Sequence, residues 1–97
     1  MVQNETDSRA QTVENLIVSP NPSFNNTAWL SFEIFEDSDV IISISNFLGL
    51  NIAQKEMSLE SGVHNFKLSD LFSLTTGSYI LAIEGDNNRS SDIIIIR

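Results

Sequence analysis

The chain has 97 residues, no cysteine, and thirteen acidic side chains against five basic ones, a formal charge of -8. That length suits one domain, which buries only about 60–65% of its extended surface, enough for one modest core rather than a deep catalytic cavity. The charge repels phosphate backbones and anionic lipid, so no nucleic-acid or membrane-surface partner is expected, and without thiols there is neither a disulfide framework nor a thiolate zinc site.

A composition that is 41% apolar is that of a globular chain. No apolar run approaches membrane-spanning length. Met1 is followed by VQNETDSRAQ, which has neither the basic cluster nor the apolar stretch of a secretory leader. A domain like this that works outside the cytoplasm is therefore expected to be a piece of something larger.

Residues Val2–Thr12 are polar and lack apolar periodicity, so residues 1–13 read as a linker and residues 14–97 as the folded unit. Leu16–Ile17–Val18 is a short apolar run, expected as an edge strand, that stops at Ser19–Pro20–Asn21–Pro22. Each proline removes a backbone donor and biases its predecessor toward extended conformations, so this segment reads as a stiff corner. Asn25–Asn26–Thr27 continues the loop. From Trp29 to Phe35 the chain alternates, with Leu30, Phe32 and Ile34 on one face and Ser31 and Glu33 on the other. The acidic turn Glu36–Asp37–Ser38–Asp39 follows. Next comes a second alternating strand, Val40 to Asn46, with Val40, Ile42 and Ile44 inward. The two strands are expected to pair as a hairpin through the acidic turn.

Asn46–Phe47–Leu48–Gly49 carries turn chemistry, because Asn bonds the backbone downstream and Gly accepts positive φ. Leu50 to Met57 reads as a weaker strand with Leu50 and Ile52 on its buried face. After the Ser61–Gly62 turn, Val63 to Leu68 alternates again, with Phe66 and Leu68 expected inside. Ser69 to Leu74 is too short for a stable helix; Ser69 is expected to cap a single turn whose Leu71 plugs the core. The closing stretch Gly77–Arg97 is a hairpin pattern: Tyr79, Leu81 and Ile83 line one face, Asp86–Asn87–Asn88 turns the chain, and Ile93–Ile94–Ile95–Ile96 forms the seventh strand. Seven short strands with turn signals at a spacing of roughly 8–12 residues predict an all-β, seven-stranded antiparallel β-sandwich, Ig-like in architecture without the disulfide.

No constellation supports catalysis. His64 is the only histidine and has no Cys nearby in sequence, and no Ser sits in a nucleophile elbow. Glu33 and Glu84 could make a glycosidase-like pair, but alternation puts both on the solvent side of their strands. The groups Glu36–Asp37–Asp39 and Asp86–Asn87–Asn88 could offer oxygen ligands to calcium, yet neither has EF-hand spacing and acidic turns are usually just solvated. No cofactor is expected. Asn-x-Ser/Thr triplets begin at Asn4, Asn25 and Asn88. Trp29 and Phe35 fall on the polar side of their strand, where an aromatic pair could stack on a sugar. A carbohydrate- or protein-binding module is therefore the alternative function, and a structural cap on a larger enzyme or adhesin the third.

Four features stand in order: the corner Pro20–Asn21–Pro22, the strand and turn ISNFLG at Ile44–Gly49, the run Gly77-x-Tyr79-x-Leu81, and a terminal Ile-rich strand ending in Arg97. Together, across Leu16 to Arg97, they resemble the type A C-terminal sorting domain of proteins exported by the type IX secretion system. The chain departs from the usual family pattern at Ser19, at Leu50 after the turn glycine, and at Ser91–Asp92, where a basic residue commonly opens the last strand. The resemblance implies a sorting signal for an upstream cargo, passing through the periplasm to the cell surface or the medium. The implied partners are the outer-membrane secretion machinery and a sortase-like peptidase that removes the domain. It implies recognition through Gly77, Tyr79, Leu81, Ile93, Ile94, Ile95, Ile96 and Arg97, with Pro20, Asn21, Pro22, Asn46 and Gly49 as structural positions. The last strand is expected to offer its edge or end to a receptor by β-augmentation, and self-association through sheet edges or exposed aromatics is open to it.

Overall fold

A computed structural model describes residues 12–23, 27–86 and 88–97. Among them are seven strands: β1 Val13–Ser19, β2 Trp29–Ile34, β3 Ser38–Ser45, β4 Asn51–Leu59, β5 Gly62–Lys67, β6 Gly77–Glu84 and β7 Arg89–Ile96. One helical turn, α1 Leu68–Leu71, precedes β6. The strands form two antiparallel sheets, a three-stranded one in the order β1-β2-β5 and a four-stranded one in the order β4-β3-β6-β7. The sandwich predicted from alternation is what forms. The linker residues up to Gln11, together with Asn25, Asn26 and Asn87, lie outside the described residues.

Alternation drives each sheet to bury one face. Leu30, Phe32 and Ile34 of β2 meet Val40, Ile42 and Ile44 of β3 and Leu81 and Ile83 of β6, all essentially without solvent contact. Val13 and Val18 of β1 and Ile94 and Ile96 of β7 extend the same core. A bulge keeps β1 in phase. Two of its residues, Asn15 and Leu16, stand against Phe32 alone in β2, and Asn15 takes φ 60. Asparagine tolerates that left-handed conformation better than most residues. Its side chain is held by a 3.1 Å bond from Nδ2 to Glu33 Oε1.

Several expectations about the packing are corrected. The acidic turn does not close a hairpin: β2 pairs with β1 and β5, and β3 with β4 and β6, so the turn carries the chain from one sheet to the other. Sequence alternation gives two strands the same inward parity whether they lie side by side or face to face, and cannot choose between these. Leu50 and Ile52 are exposed, not buried. Ile44 lies opposite Ala53 and Ser45 opposite Asn51, which leaves Ile52 as an extra residue, and the face toward the core carries Ala53, Met57 and Leu59. Ser69 does not cap α1, which has no side-chain cap. Leu68, Phe72 and Leu74 are buried around the turn, whereas Leu71 and Phe66 are only half-buried. β7 starts at Arg89, earlier than its isoleucine run.

The two sheets are also stitched along one side, where β1 lies next to β7. Asn88, just before β7, accepts from Thr12 N at 2.9 Å and Val13 N at 3.0 Å through Oδ1 and donates from Nδ2 to Val13 O at 2.7 Å. Thr12 and Val13 are both buried, so the packed unit takes in both residues. The turn before Asn88 presses on the same place: a Cβ at Gly85 would come within 2.6 Å of Thr12 Cγ2. Asn88→Ala leaves buried backbone groups of Val13 short of partners and should lower the unfolding free energy by about 1–3 kcal/mol. Urea denaturation would register this as a lower midpoint at unchanged slope. An unchanged midpoint would show that the clamp is idle.

Candidate functional site

The resemblance directs attention to β6 and β7, which form a hairpin in full register, Gly77 opposite Ile96 through Glu84 opposite Arg89. Four of the residues named for recognition are interior. Tyr79, Leu81, Ile94 and Ile96 are buried, so a partner meeting the folded domain cannot touch them. Their role is to hold the hairpin on the core. Tyr79 shows how: its hydroxyl donates to Thr75 O at 2.8 Å, four residues back, and so pins the approach to β6. Gly77 lies beside that ring, where a Cβ would meet the phenol oxygen at 3.4 Å, an ordinary van der Waals contact.

The opposite parity faces out. Ile93 is 50% exposed, Arg97 is exposed, and Ile95 is half-buried. Ile80 pairs with Ile93 on the same outer face, so the sheet carries a short apolar row there.

The outer edge of β7 is closed from Ile93 onward. Asn21 Nδ2 donates to Ile93 O at 2.6 Å, and Asn21 Oδ1 accepts from Ile95 N at 3.0 Å. Ser23 N donates to Ile95 O at 2.9 Å, and Ser23 O accepts from Arg97 N at 2.8 Å. Ile93 N donates to Asp92 Oδ1 at 2.8 Å. An edge free for β-augmentation is therefore not what the folded domain presents. Both peptide bonds preceding the prolines of this corner are cis. Read from sequence, Pro20–Asn21–Pro22 is only a stiff corner; nothing in a sequence pairs Asn21 with a strand more than seventy residues away.

A second exposed feature lies in the β3–β4 turn. Asn46 organises it: Oδ1 accepts from Leu48 N at 2.9 Å and Leu50 N at 3.0 Å, while its backbone exchanges bonds with Gly49 N and Leu50 O at 3.0 Å each. Gly49 takes φ +88, which L side chains rarely adopt. The result is a turn fixed from within that holds Phe47 and Leu48 in solvent, Leu48 being 86% exposed. These residues escaped the sequence reading, although two large apolar side chains inside a turn are themselves a signal, because turn positions are usually small or polar.

The other candidates disperse. Trp29 and Phe35 are exposed but stand six residues apart at the two ends of β2, about 20 Å along a strand, and make no single stacking platform. Glu33 and Glu84 lie on the outer faces of different sheets. His64, Phe32 and Phe66 form a cluster of three stacked rings with centroids 5.9–6.2 Å apart, and His64 Nε2 donates to Glu60 O at 2.7 Å. Asp37, Asp39, Glu60 and Asp86 do share an open hollow at one end of the sandwich. There Asp37 accepts from Ser61 N and Asp39 from Ser58 Oγ, and among the described residues no three acidic or imidazole groups converge as a metal site.

A small sandwich whose last strand is fastened by its first corner, with outward apolar features at a turn and on its closing hairpin, is a recognition domain in form. Residues 5–97 match the family described as the secretion system C-terminal sorting domain, and the chain belongs to that family, the sorting signals of type IX secretion. No match emerges among curated proteins. A sorting tail of this family is joined to a cargo protein, engages the secretion machinery, and leads to export to the cell surface or the medium as part of a larger precursor. The family is not one of enzymes.

Burial separates scaffold from surface in a way that can be measured. Ile94→Ala should cost about 2–5 kcal/mol, as truncations of buried isoleucine do, whereas Ile93→Ala on the outer face should cost under about 1 kcal/mol. Chemical denaturation of the two variants checks the assignment; equal costs would contradict it.

Proposed function

We propose that this domain is a folded export signal whose recognition surface is formed by outward side chains: Ile93 and Ile95 on β7, Arg97 just after it, and Phe47 and Leu48 on the β3–β4 turn. The family match over residues 5–97 carries the reading. Support for the surface comes from exposure. Phe47, Leu48 and Ile93 are large apolar groups exposed to water on hydrogen-bonded elements, and such preorganised patches bind with little ordering cost. Gly77, Tyr79, Leu81, Ile94 and Ile96 act beneath it, as the sheet that sets its shape.

In this reading a cargo is joined ahead of the domain, and a sortase-like peptidase cuts the polar segment Val2–Thr12 once the cargo reaches the cell surface. The composition of that segment supports it, since polar stretches without apolar periodicity are favoured by peptidases. Thr12 is buried and bonded to Asn88, so a cut ahead of it would leave the two sheets in one piece.

The test is a reporter carrying a leader at its N-terminus and this chain at its C-terminus, expressed in a host with a type IX machine. The intact fusion should appear outside the cell with the tail removed. Deleting Asp92–Arg97 should abolish export, and circular dichroism of the isolated domain would tell loss of fold from loss of signal. Phe47→Ser with Leu48→Ser touches no buried group and should cut export at least about tenfold while leaving the melting temperature unchanged. Full export of that double variant would remove the turn from the surface.

A further inference from the structure

We infer that the segment Pro20–Ser23 is an edge guard: it occupies the outer edge of β7 as a surrogate strand, and what it holds off is a second copy of this chain. Along a strand the backbone groups of alternate residues point to the same side, so once Ile93, Ile95 and Arg97 are seen to bond outward, every outward group of that stretch is identified. From Ile93 N to Arg97 N, all of them are occupied. Ile93 N is paired with Asp92 Oδ1, and Ile93 O and Ile95 N are paired with the two ends of the Asn21 amide. Ile95 O and Arg97 N are paired with Ser23 N and O. The Asn21 side chain presents one N–H and one C=O side by side, as a peptide group would, and Ser23 continues the ladder as a parallel bridge to Ile96.

The chemistry of the strand explains what needs excluding. Ile93–Ile96 is four β-branched residues in a row, the composition of a segment that pairs with identical copies of itself. The domain as a whole is strongly acidic, but Arg89–Arg97 carries two arginines against Asp92, so its own charge does little to keep copies apart. Ile93 and Ile95 would extend an apolar row across the junction. No lysine or proline lies within β7, the devices by which edge strands are commonly blunted. Here the blunting comes from a different part of the chain.

Three of the guard's four residues sit on the surface, and only Ser23 is buried. Pro20, Asn21 and Pro22 are exposed, so removing the Asn21 amide leaves no cavity in the core. The inference concerns self-pairing alone and stands whether or not the export reading holds.

The experiment uses the full 97-residue chain. In Asn21→Ala, Ile95 N loses its acceptor, and its amide hydrogen exchange measured by NMR should quicken about tenfold or more while the amides of β6 keep their protection. The variant should also associate as its concentration rises in sedimentation equilibrium, where the wild type stays monomeric. Adding Ile93→Lys to Asn21→Ala should restore the monomer while Ile95 exchange stays fast, because a charge on the outer row opposes pairing without rebuilding the guard. Unchanged Ile95 protection in Asn21→Ala, a monomeric Asn21→Ala, or association that persists after Ile93→Lys would each overturn the inference.

Discussion

The fold depends on the start of the chain lying along its end. Residues 12–23 run beside β7 and are fastened to it twice, by the Asn88 amide at Thr12 and Val13 and by the Asn21 amide at Ile93 and Ile95. Antiparallel sheets stacked face to face are held by apolar contact, which resists separation but does little to oppose sliding. Hydrogen bonds at the two ends of one side fix the offset. Both fasteners use asparagine, the side chain that can donate and accept within one planar group.

That arrangement shapes what the molecule can present. The four-stranded sheet has β7 at one edge and β4 at the other. The β7 edge is covered over its apolar half. On β4, Lys55 and Glu56 are both exposed, and charged side chains on an edge strand disfavour further pairing there. In the four-stranded sheet, edge pairing is thus opposed on both sides. Exposed large apolar side chains include Ile93 on β7 and Phe47 and Leu48 at the β3–β4 turn, alongside Ile17, Leu50 and Val63. A sorting domain read in the folded state can be recognised in this manner without opening its sheets.

Much of this was legible beforehand. Alternation at Leu30–Phe32–Ile34, Val40–Ile42–Ile44 and Tyr79–Leu81–Ile83 assigned the buried face of three strands, and the Asn46–Gly49 turn followed from residue chemistry that is local. What failed did so where a local rule met a long-range choice. The acidic turn joined two sheets rather than two neighbours. One extra residue at Ile52 reversed the faces of β4. The run Ile93 to Ile96 was expected to offer its edge to a receptor, yet that edge is taken by Asn21 and Ser23.

The sequence by itself determined the class: seven strands, a single core, turns at Asn46 and Gly49, and an apolar strand near residue 97 that would require protection. It did so because the period of a strand and the φ demands of a turn are properties of a few adjacent residues. Only the tertiary structure decided which strands share a sheet and how β7 is protected. Asn21 and Ile95 are far apart in the chain, and a single side-chain amide fits either a solvated corner or a strand edge equally well. Its meaning comes from the backbone beside it.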